Sequence, residues 1–327
     1  MLIKRILRFI FITCVLLILL MVGAYKWASS SNHYEKDYFQ LIKNDFPVVA
    51  DQDSTYSIIT YNIGYLSGMT NNKAVVTTAS LFENNLKKVY AGLEKLKADI
   101  LCFQEIDFSS ARSFYVNQQE AIQKIGYNYV FQGVNWDEQY VPFPGTWPSL
   151  QFGEIYSGQS VLSKHPIVEA ERLVLDRIED IPFYRDAFFL DRLAQVAQVE
   201  IDGRKVILVN VHLEAFDKTT REKQTNHIAN LYKKYAADYP VLLVGDYNSD
   251  ITSEDPTIEI ISNLPDIAMA SVGSDVDNKT FPSSQPKYRL DYVFYNENFI
   301  EIKRAEVLRS FGEASDHLPV LMEFVFK

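Results

Sequence analysis

The tripeptide Ser315-Asp316-His317, just ahead of the apolar run Pro319 to Phe326, sets a carboxylate beside an imidazole at the edge of a strand. A carboxylate can hold a hard cation, and an imidazole exchanges a proton near neutral pH. Asp-His also occurs in ordinary surface loops, so its weight comes from similar clusters upstream. Asn62 follows the run Ser57-Ile-Ile within Thr60-Tyr-Asn-Ile-Gly64, and Glu105 follows Asp99-Ile-Leu-Cys within Phe103-Gln-Glu105. His212 and Glu214 follow Val206-Ile-Leu-Val, Asp246 and Asn248 follow Val241-Leu-Leu-Val, and Asp291 interrupts the apolar stretch Leu290 to Tyr295. Each residue also has a plain structural reading. Asn62 suits a turn before Gly64, Glu105 a helix start or surface, and Asp246 with Asn248 an Asx turn; Asp291 could be a strand aspartate satisfied by backbone donors.

These motifs must sit at the ends of strands, and the chain between them alternates strand-like runs with helical periodicity, the mark of an α/β protein. Helical spacing appears over Leu81 to Leu96, Phe114 to Ile125 and Thr219 to Ala237. Strands are expected at Tyr129–Gln132, Ser160–Leu162, Gln195–Ile201, Lys205–Val211, Val241–Val244, Leu290–Tyr295, Ile302–Leu308 and Val320–Phe326. The turn Ile201-Asp-Gly-Arg204 demands an antiparallel pair. Trp136 to Tyr156, with Tyr140, Val141, Phe143, Trp147, Leu150, Phe152 and Tyr156 among Pro142, Pro144 and Pro148, reads as a long irregular loop beside the site. Its aromatics suit insertion at a membrane interface, stacking on a base, or packing over the fold.

Taken in order from Tyr56 to Phe326, the motifs resemble the endonuclease/exonuclease/phosphatase superfamily, the Mg-dependent phosphohydrolases that include deoxyribonuclease I-like nucleases, abasic-site endonucleases, bacterial sphingomyelinases and inositol-phosphate 5-phosphatases. The resemblance implies two mixed β-sheets packed as a sandwich flanked by helices, with the polar residues converging at one edge. It further implies a cation, Mg²⁺ with Mn²⁺ or Ca²⁺ as alternatives, held by Glu105 with Asn62 and Asp316. His317 matches the histidine near the scissile phosphate and Asp291 its carboxylate partner, the pair acting as a base toward water or as a charged clamp. Asp246 would orient or deprotonate the attacking water, Asn248 would donate to a phosphate oxygen, and His212 would contact phosphate or protonate the leaving oxygen. Gly64 stands where some nucleases of the superfamily carry a further acidic residue, and Gly158-Gln-Ser160 where many relatives carry Gly-Asn-Ala. His33, His165 and His227 are read as structural.

The 327 residues are 47% hydrophobic, enough for a large core, and without repeats or a Gly/Ser-rich linker they read as one catalytic domain over 54–327. A net charge of −10 argues against broad adhesion to nucleic acid through a basic face. Cys14 and Cys102 are not expected to pair. Lys4, Arg5 and Arg8 precede the apolar Phe9 to Ala24, so 1–28 reads as a membrane anchor in preference to a cleaved signal, with 29–53 a polar stalk holding a short helix at Tyr34–Lys43. Either reading places the catalytic domain outside the cytoplasm. The expected protein is a monomeric, membrane-anchored phosphodiesterase acting on a lipid head group or small phosphodiester. The alternatives are an endonuclease cleaving DNA, a catalytically inactive surface binding module, and a calcium-dependent adhesion module, whose ligands would cluster within one loop.

Overall fold

The structure, a computed structural model, describes residues 1–47 and 54–327; the last part of the expected stalk, 48–53, lies outside the described residues. Two mixed sheets pack face to face. One has seven strands in the order β1 (Phe39–Lys43), β4 (Tyr129–Pro144), β5 (Gln151–Ser163), β3 (Ile100–Asp107), β2 (Tyr56–Asn62), β13 (Val320–Phe326) and β12 (Ile300–Val307). The other has six, in the order β10 (Ile267–Met269), β11 (Asp291–Asn296), β9 (Val241–Asp246), β8 (Arg204–His212), β7 (Leu193–Ile201) and β6 (Ile167–Val174). Between them lies a core of alternate inward residues, among them Ile58, Cys102, Phe131 and Val161 facing Val199, Leu208, Val244 and Val293. Truncating one such side chain, Phe131→Ala for example, costs about 3–5 kcal/mol.

The topology explains why the polar motifs meet. Among the described residues only two strand pairs are parallel, β2 with β3 and β8 with β9. A parallel pair needs a crossover, which α2 (Ala79–Leu96) and α5 (Lys218–Tyr235) supply on the outer faces. Asn62, Glu105, His212 and Asp246 therefore stand at or near the carboxyl ends of strands that lead to the same edge. β11 and β13 run antiparallel to β9 and β2, so Asp291 at the start of β11 and Asp316-His317 ahead of β13 arrive at that edge from the other direction.

Beneath the edge a buried amide network ties the sheets in register. Gln104 donates to Thr60 Oγ1 and Asn210 Oδ1 at 3.1 and 2.6 Å, and Asn210 donates to Gln195 Oε1 at 2.9 Å. Paired, these amides hold one alignment of the sheets, although the Gln104 Oε1 finds no partner among the described residues.

Three local expectations are corrected. Tyr34–Lys43 is a single 3-10 turn, Glu35–Tyr38, followed by β1, because alternating Phe39, Leu41 and Lys43 can pair with the edge of β4. The segment read as a stalk thus adds a strand to the catalytic sheet. Trp136 to Tyr156 is mostly regular: β4 and β5 continue as a long hairpin with bulges at Val134/Trp136, Glu138/Val141 and Val141/Pro144, the last taking up Pro142 and Pro144, while Pro148 opens the 3-10 turn at the tip. The helix expected over Phe114–Ile125 shrinks to α3 (Gln118–Gln123), since Phe114 and Tyr115 take left-handed φ of 58° and 60°. Strand β6 was not anticipated, whereas the turn Asp202-Gly203, with φ of 48° and 73°, joins β7 to β8 as an antiparallel pair in the expected way. Short helices α4 (Phe183–Asp186) and α6 (Glu259–Ser262) complete the fold, and both cysteines are free. The first helix, α1 (Leu2–Ala28), has no buried residue and is long and apolar enough to cross a membrane, a property that signal sequences share.

Candidate active site

Glu105 reaches the site through a backbone irregularity. Pairing of β3 with β5 is interrupted between Phe103 and Ile106, and Glu105 sits there with φ of +51°. A left-handed glutamate costs of order 1–3 kcal/mol, and the bulge aims the carboxylate along the sheet edge toward Asp316. Asn71 bridges the two acids: its Nδ2 lies 2.9 Å from Glu105 Oε2 and 3.3 Å from each Asp316 oxygen. Burial, then the neighbouring Asp316, pushes the Glu105 carboxyl upward. Two carboxylates sharing one amide NH₂, with the destabilisation of ionised Glu105 only partly offset by Asn71, His317 and Arg192, form an oxygen-donor pair that suits a hard divalent cation.

The neighbouring proton machinery is built around Asp246 and His317. His317 Nδ1 lies 2.8 Å from Asp291 Oδ2, and its Nε2 lies 3.8 Å from Asp246 Oδ2. Burial opposes an imidazolium here, but Asp291 and Asp246 overcome it and hold His317 well above an ordinary histidine. Among the described residues the second oxygen of Asp291 has no hydrogen-bond partner, so this is not an aspartate satisfied by backbone donors. Burial raises the Asp246 carboxyl to about 7, with His317 pulling it down and Asp291 pushing it up. Asp246 Oδ1 accepts from the Asn248 N–H at 2.9 Å, and Oδ2 accepts from Asn62 Nδ2 at 2.9 Å. Asn62 thus links the two halves, its own Oδ1 accepting from the Gly64 N–H at 3.1 Å. The Asn248 amide donates to the Leu213 carbonyl at 2.9 Å, bracing the turn after β9.

His212 is the third partner of this cluster, its Nε2 lying 3.7 Å from Asp246 Oδ2 and 3.8 Å from Glu105 Oε1. The same Nε2 lies 2.7 Å from Arg192 Nη1. A guanidinium only donates, so Nε2 accepts and the neutral ring carries its proton on Nδ1. Burial, followed by Arg192 and His317, pushes His212 well below an ordinary histidine. Glu214 holds Arg192 from behind at 3.3 Å and so reaches His212 through the guanidinium.

All eight residues expected at the site therefore converge. Asn71 and Arg192 were not foreseen. Asn71 lies in a polar loop with no strand pattern to mark it. Arg192 had a signal, a cation directly before the apolar strand that pairs Leu193 with His212. Two glycines are explained by close approach. A Cβ on Gly245 (φ +137°) would lie 2.0 Å from the Val211 carbonyl oxygen, and one on Gly64 (φ +53°) 2.7 Å from Asp316 Oδ1. The other histidines stand apart: His33 meets Asp137 at 3.3 Å, His165 packs edge-on against Tyr56, and His227 is exposed on α5.

An α/β sandwich with facing acids and a buried His–Asp dyad at one edge is the architecture of a metal-dependent phosphoesterase. The sequence profile of the Endonuclease/Exonuclease/phosphatase family matches residues 59–317, and the chain belongs to that family. Enzymes of this family are divalent-metal-dependent phosphoric ester hydrolases, nucleases and phosphatases among them. Two UPF0294 proteins of Vibrio cholerae are 33% identical over 124 residues, 38% of this chain and 41% of their own length, so the match spans under half of those relatives. Solved structures share the fold at low identity. An endonuclease/exonuclease/phosphatase from Beutenbergia cavernae superposes with TM-score 0.60 at 18% identity, covering 83% of this chain and 72% of its own. A mannosyl-6-phosphatase from Bacteroides thetaiotaomicron gives 0.56 at 16% identity, over 83% and 100%. TDP2 of D. rerio complexed with single-strand DNA product gives 0.58 at 16% identity, over 83% and 99%.

Proposed function

We propose that the chain is a Mg²⁺-dependent phosphodiesterase, anchored by α1 and working as a monomer outside the cytoplasm on a lipid head group or small phosphodiester. The observation that carries this reading is the pairing of two proton states on adjacent side chains, imidazolium His317 beside an Asp246 carboxyl raised to about 7. In hydrolysis a water oxygen bonds to phosphorus while one P–O ester bond breaks; the water's proton must leave and the departing oxygen must gain one. Asp246, ionised above pH 7, takes the water's proton, its value being matched to that task. His317 places its positive charge where the phosphoryl oxygens gather charge and can deliver a proton from Nε2, while Asp291 fixes the ring through Nδ1. Arg192, steadied by Glu214 and the acceptor nitrogen of His212, adds a second cation to the same wall.

Glu105 and Asp316 would hold the metal, with the Asn71 and Asn62 amides beside them. When bound, that ion supplies a Lewis acid that neutralises phosphoryl charge.

A membrane-anchored endonuclease is the second reading. It is favoured by Phe216 and Tyr288, 86% and 51% exposed on the loops after His212 and before Asp291, which offer faces for base stacking. Purified protein incubated with Mg²⁺, and with chelator, against supercoiled plasmid, phospholipid vesicles and bis(p-nitrophenyl) phosphate decides between them. Chelator-sensitive release of phosphorylated head group without nicking supports the first reading. Nicking that His317→Ala abolishes supports the second. A folded protein inert on all three substrates overturns both and leaves the inactive binding module.

A further inference from the structure

The end of α1 does not hang free of the catalytic domain. Tyr25, in its last turn, packs edge-on against Phe183 and Phe188 at 6.2 and 5.7 Å, and its hydroxyl donates to the Phe183 carbonyl at 3.1 Å. Trp27 stacks on Tyr140 at 6.2 Å. Just beyond the helix, the Ser30 carbonyl accepts from the Gln139 N–H at 2.9 Å, and Asp137 accepts from the Asn32 and His33 N–H groups at 3.0 and 2.8 Å. The chain is thus fastened to the outer half of the β4–β5 hairpin within a few residues of leaving α1. A 27-residue helix is about 40 Å long, against a hydrocarbon layer of about 30 Å. If the apolar stretch Phe9 to Ala24, about 24 Å long, is centred in that layer, Tyr25 and Trp27 fall within a few Å of its boundary, and whatever touches them lies near the same depth.

The segments that meet the end of α1 also carry exposed aromatic side chains. Phe183 and Tyr184 of α4 are 75% and 57% exposed, and Trp147 and Phe143 at the hairpin tip are 71% and 47% exposed. Aromatic side chains of this kind concentrate at the head-group level of bilayers. The inner side of the same tip walls a cleft: Pro144, Leu150 and Phe152 face Tyr65, Asn71 and Phe82. Asn71 is the residue that bridges Glu105 and Asp316, so the cleft runs from the hairpin tip to the amide beside the acids.

We propose that the β4–β5 tip and α4 form a membrane-docking surface that sits in the head-group layer beside α1, opening the cleft onto the bilayer so that the phosphoester of a lipid enters the site from the membrane that anchors the protein. This rests on the membrane-anchored phosphodiesterase reading and sharpens it, naming a lipid as the substrate class and fixing the orientation of the domain. The surface is aromatic and the anchor covalent, so the docking is insensitive to salt, unlike a polybasic contact.

The full chain reconstituted in phosphatidylcholine–phosphatidylglycerol vesicles, with and without lipids brominated near the glycerol, tests the orientation. Subtracting the fluorescence of Trp147→Phe isolates Trp147; its quenching by bromolipid, unchanged at high salt, is the expected result. Quenching confined to the remaining tryptophans would overturn the proposal and give the aromatic tip to a protein partner or to solvent. The substrate arm uses Trp147→Ser combined with Phe183→Ser, both exposed positions. Head-group release from vesicles, relative to hydrolysis of bis(p-nitrophenyl) phosphate, is expected to fall about tenfold, and an unchanged ratio overturns the lipid route. If the wild-type chain hydrolyses neither substrate, the phosphodiesterase reading fails while the quenching result still decides the docking.

Discussion

The two sheets contribute differently to the site. The seven-stranded sheet brings Asn62, Glu105 and Asp316, oxygen and amide groups around a place for a cation. The six-stranded sheet brings His212, Asp246 and Asp291, groups whose protonation is set against one another. His317 belongs by sequence to the first sheet and by contact to the second, since it precedes β13 yet lies 2.8 Å from Asp291. On the proposed reading, metal binding falls to one sheet and proton handling to the other, so each can be tuned separately, and the hydrogen bond from Asn62 to Asp246 joins them. Changes in the first sheet should therefore appear in metal dependence, and changes in the second in pH dependence.

The largest effect is expected at the residue that belongs to both halves. His317→Ala should lower kcat by about 10³-fold or more at every Mg²⁺ concentration, measured on a soluble diester. A loss recoverable by added Mg²⁺ would instead assign His317 to the cation half. Glu105→Gln should cost about 10²-fold in kcat/KM, with partial recovery at high Mg²⁺. The same change should raise the thermal midpoint of metal-free protein, because it removes a buried carboxylate that burial and Asp316 destabilise in its ionised form.

Asp246→Asn probes the second sheet. The folded-state value of Asp246 is about 7, above the roughly 3.9 of an unfolded aspartate, so the folded protein binds the extra proton between those limits. The Asp246 contribution to the stability of metal-free protein then falls as pH rises from about 4 to 7, the full cost being present above that window, while His212, held low, opposes it as pH rises toward about 6.5. His317, also raised, extends the decline: its contribution is complete below about pH 6.5 and is lost as pH passes through its higher folded value. Denaturant titrations without metal should show lower stability at pH 8 than at pH 5, with the acidic part of the slope missing in Asp246→Asn. Mg²⁺ should stabilise most at pH 8, where the acids are ionised. A flat metal-free profile would contradict the burial of these groups.

The smallest effect is expected from Gly64→Ala. Its Cβ would meet Asp316 Oδ1 and Ser315 Oγ at 2.7 and 2.8 Å, so Asp316 must move. The apparent Mg²⁺ affinity should weaken about 10- to 100-fold, while the pH dependence of kcat stays as in the unmodified chain. A shifted pH profile with unchanged metal affinity would break the division between the sheets.

Much of this was legible in the sequence because the informative residues sit where a local pattern stops. Asp246 and His212 follow apolar runs, and a run's length marks a strand's end. Gly245 is dictated by backbone approach, which a single residue type reports. Asn71 was not legible, since nothing local distinguishes an amide that bridges two carboxylates from any loop asparagine. Nor could the aromatic stretch from Trp136 be read as a hairpin, because Pro142 and Pro144 are tolerated only at a bulge that the pairing of β4 with β5 creates, and Pro148 only in the tip turn.

The sequence by itself determined most of the central strands, the crossovers and the identity of the acids and histidines, since alternation, helical period and motif order are local properties of a chain. Tertiary structure decided the charges and the orientation. Imidazolium His317, neutral His212 and the raised Asp246 arise from burial and from neighbours brought by other strands. Likewise, the seating of α1 against the hairpin depends on contacts between Tyr25 and Phe183, 158 residues apart in the chain. Desolvation and long-range contact depend on the whole packed body, so no window of sequence contains them.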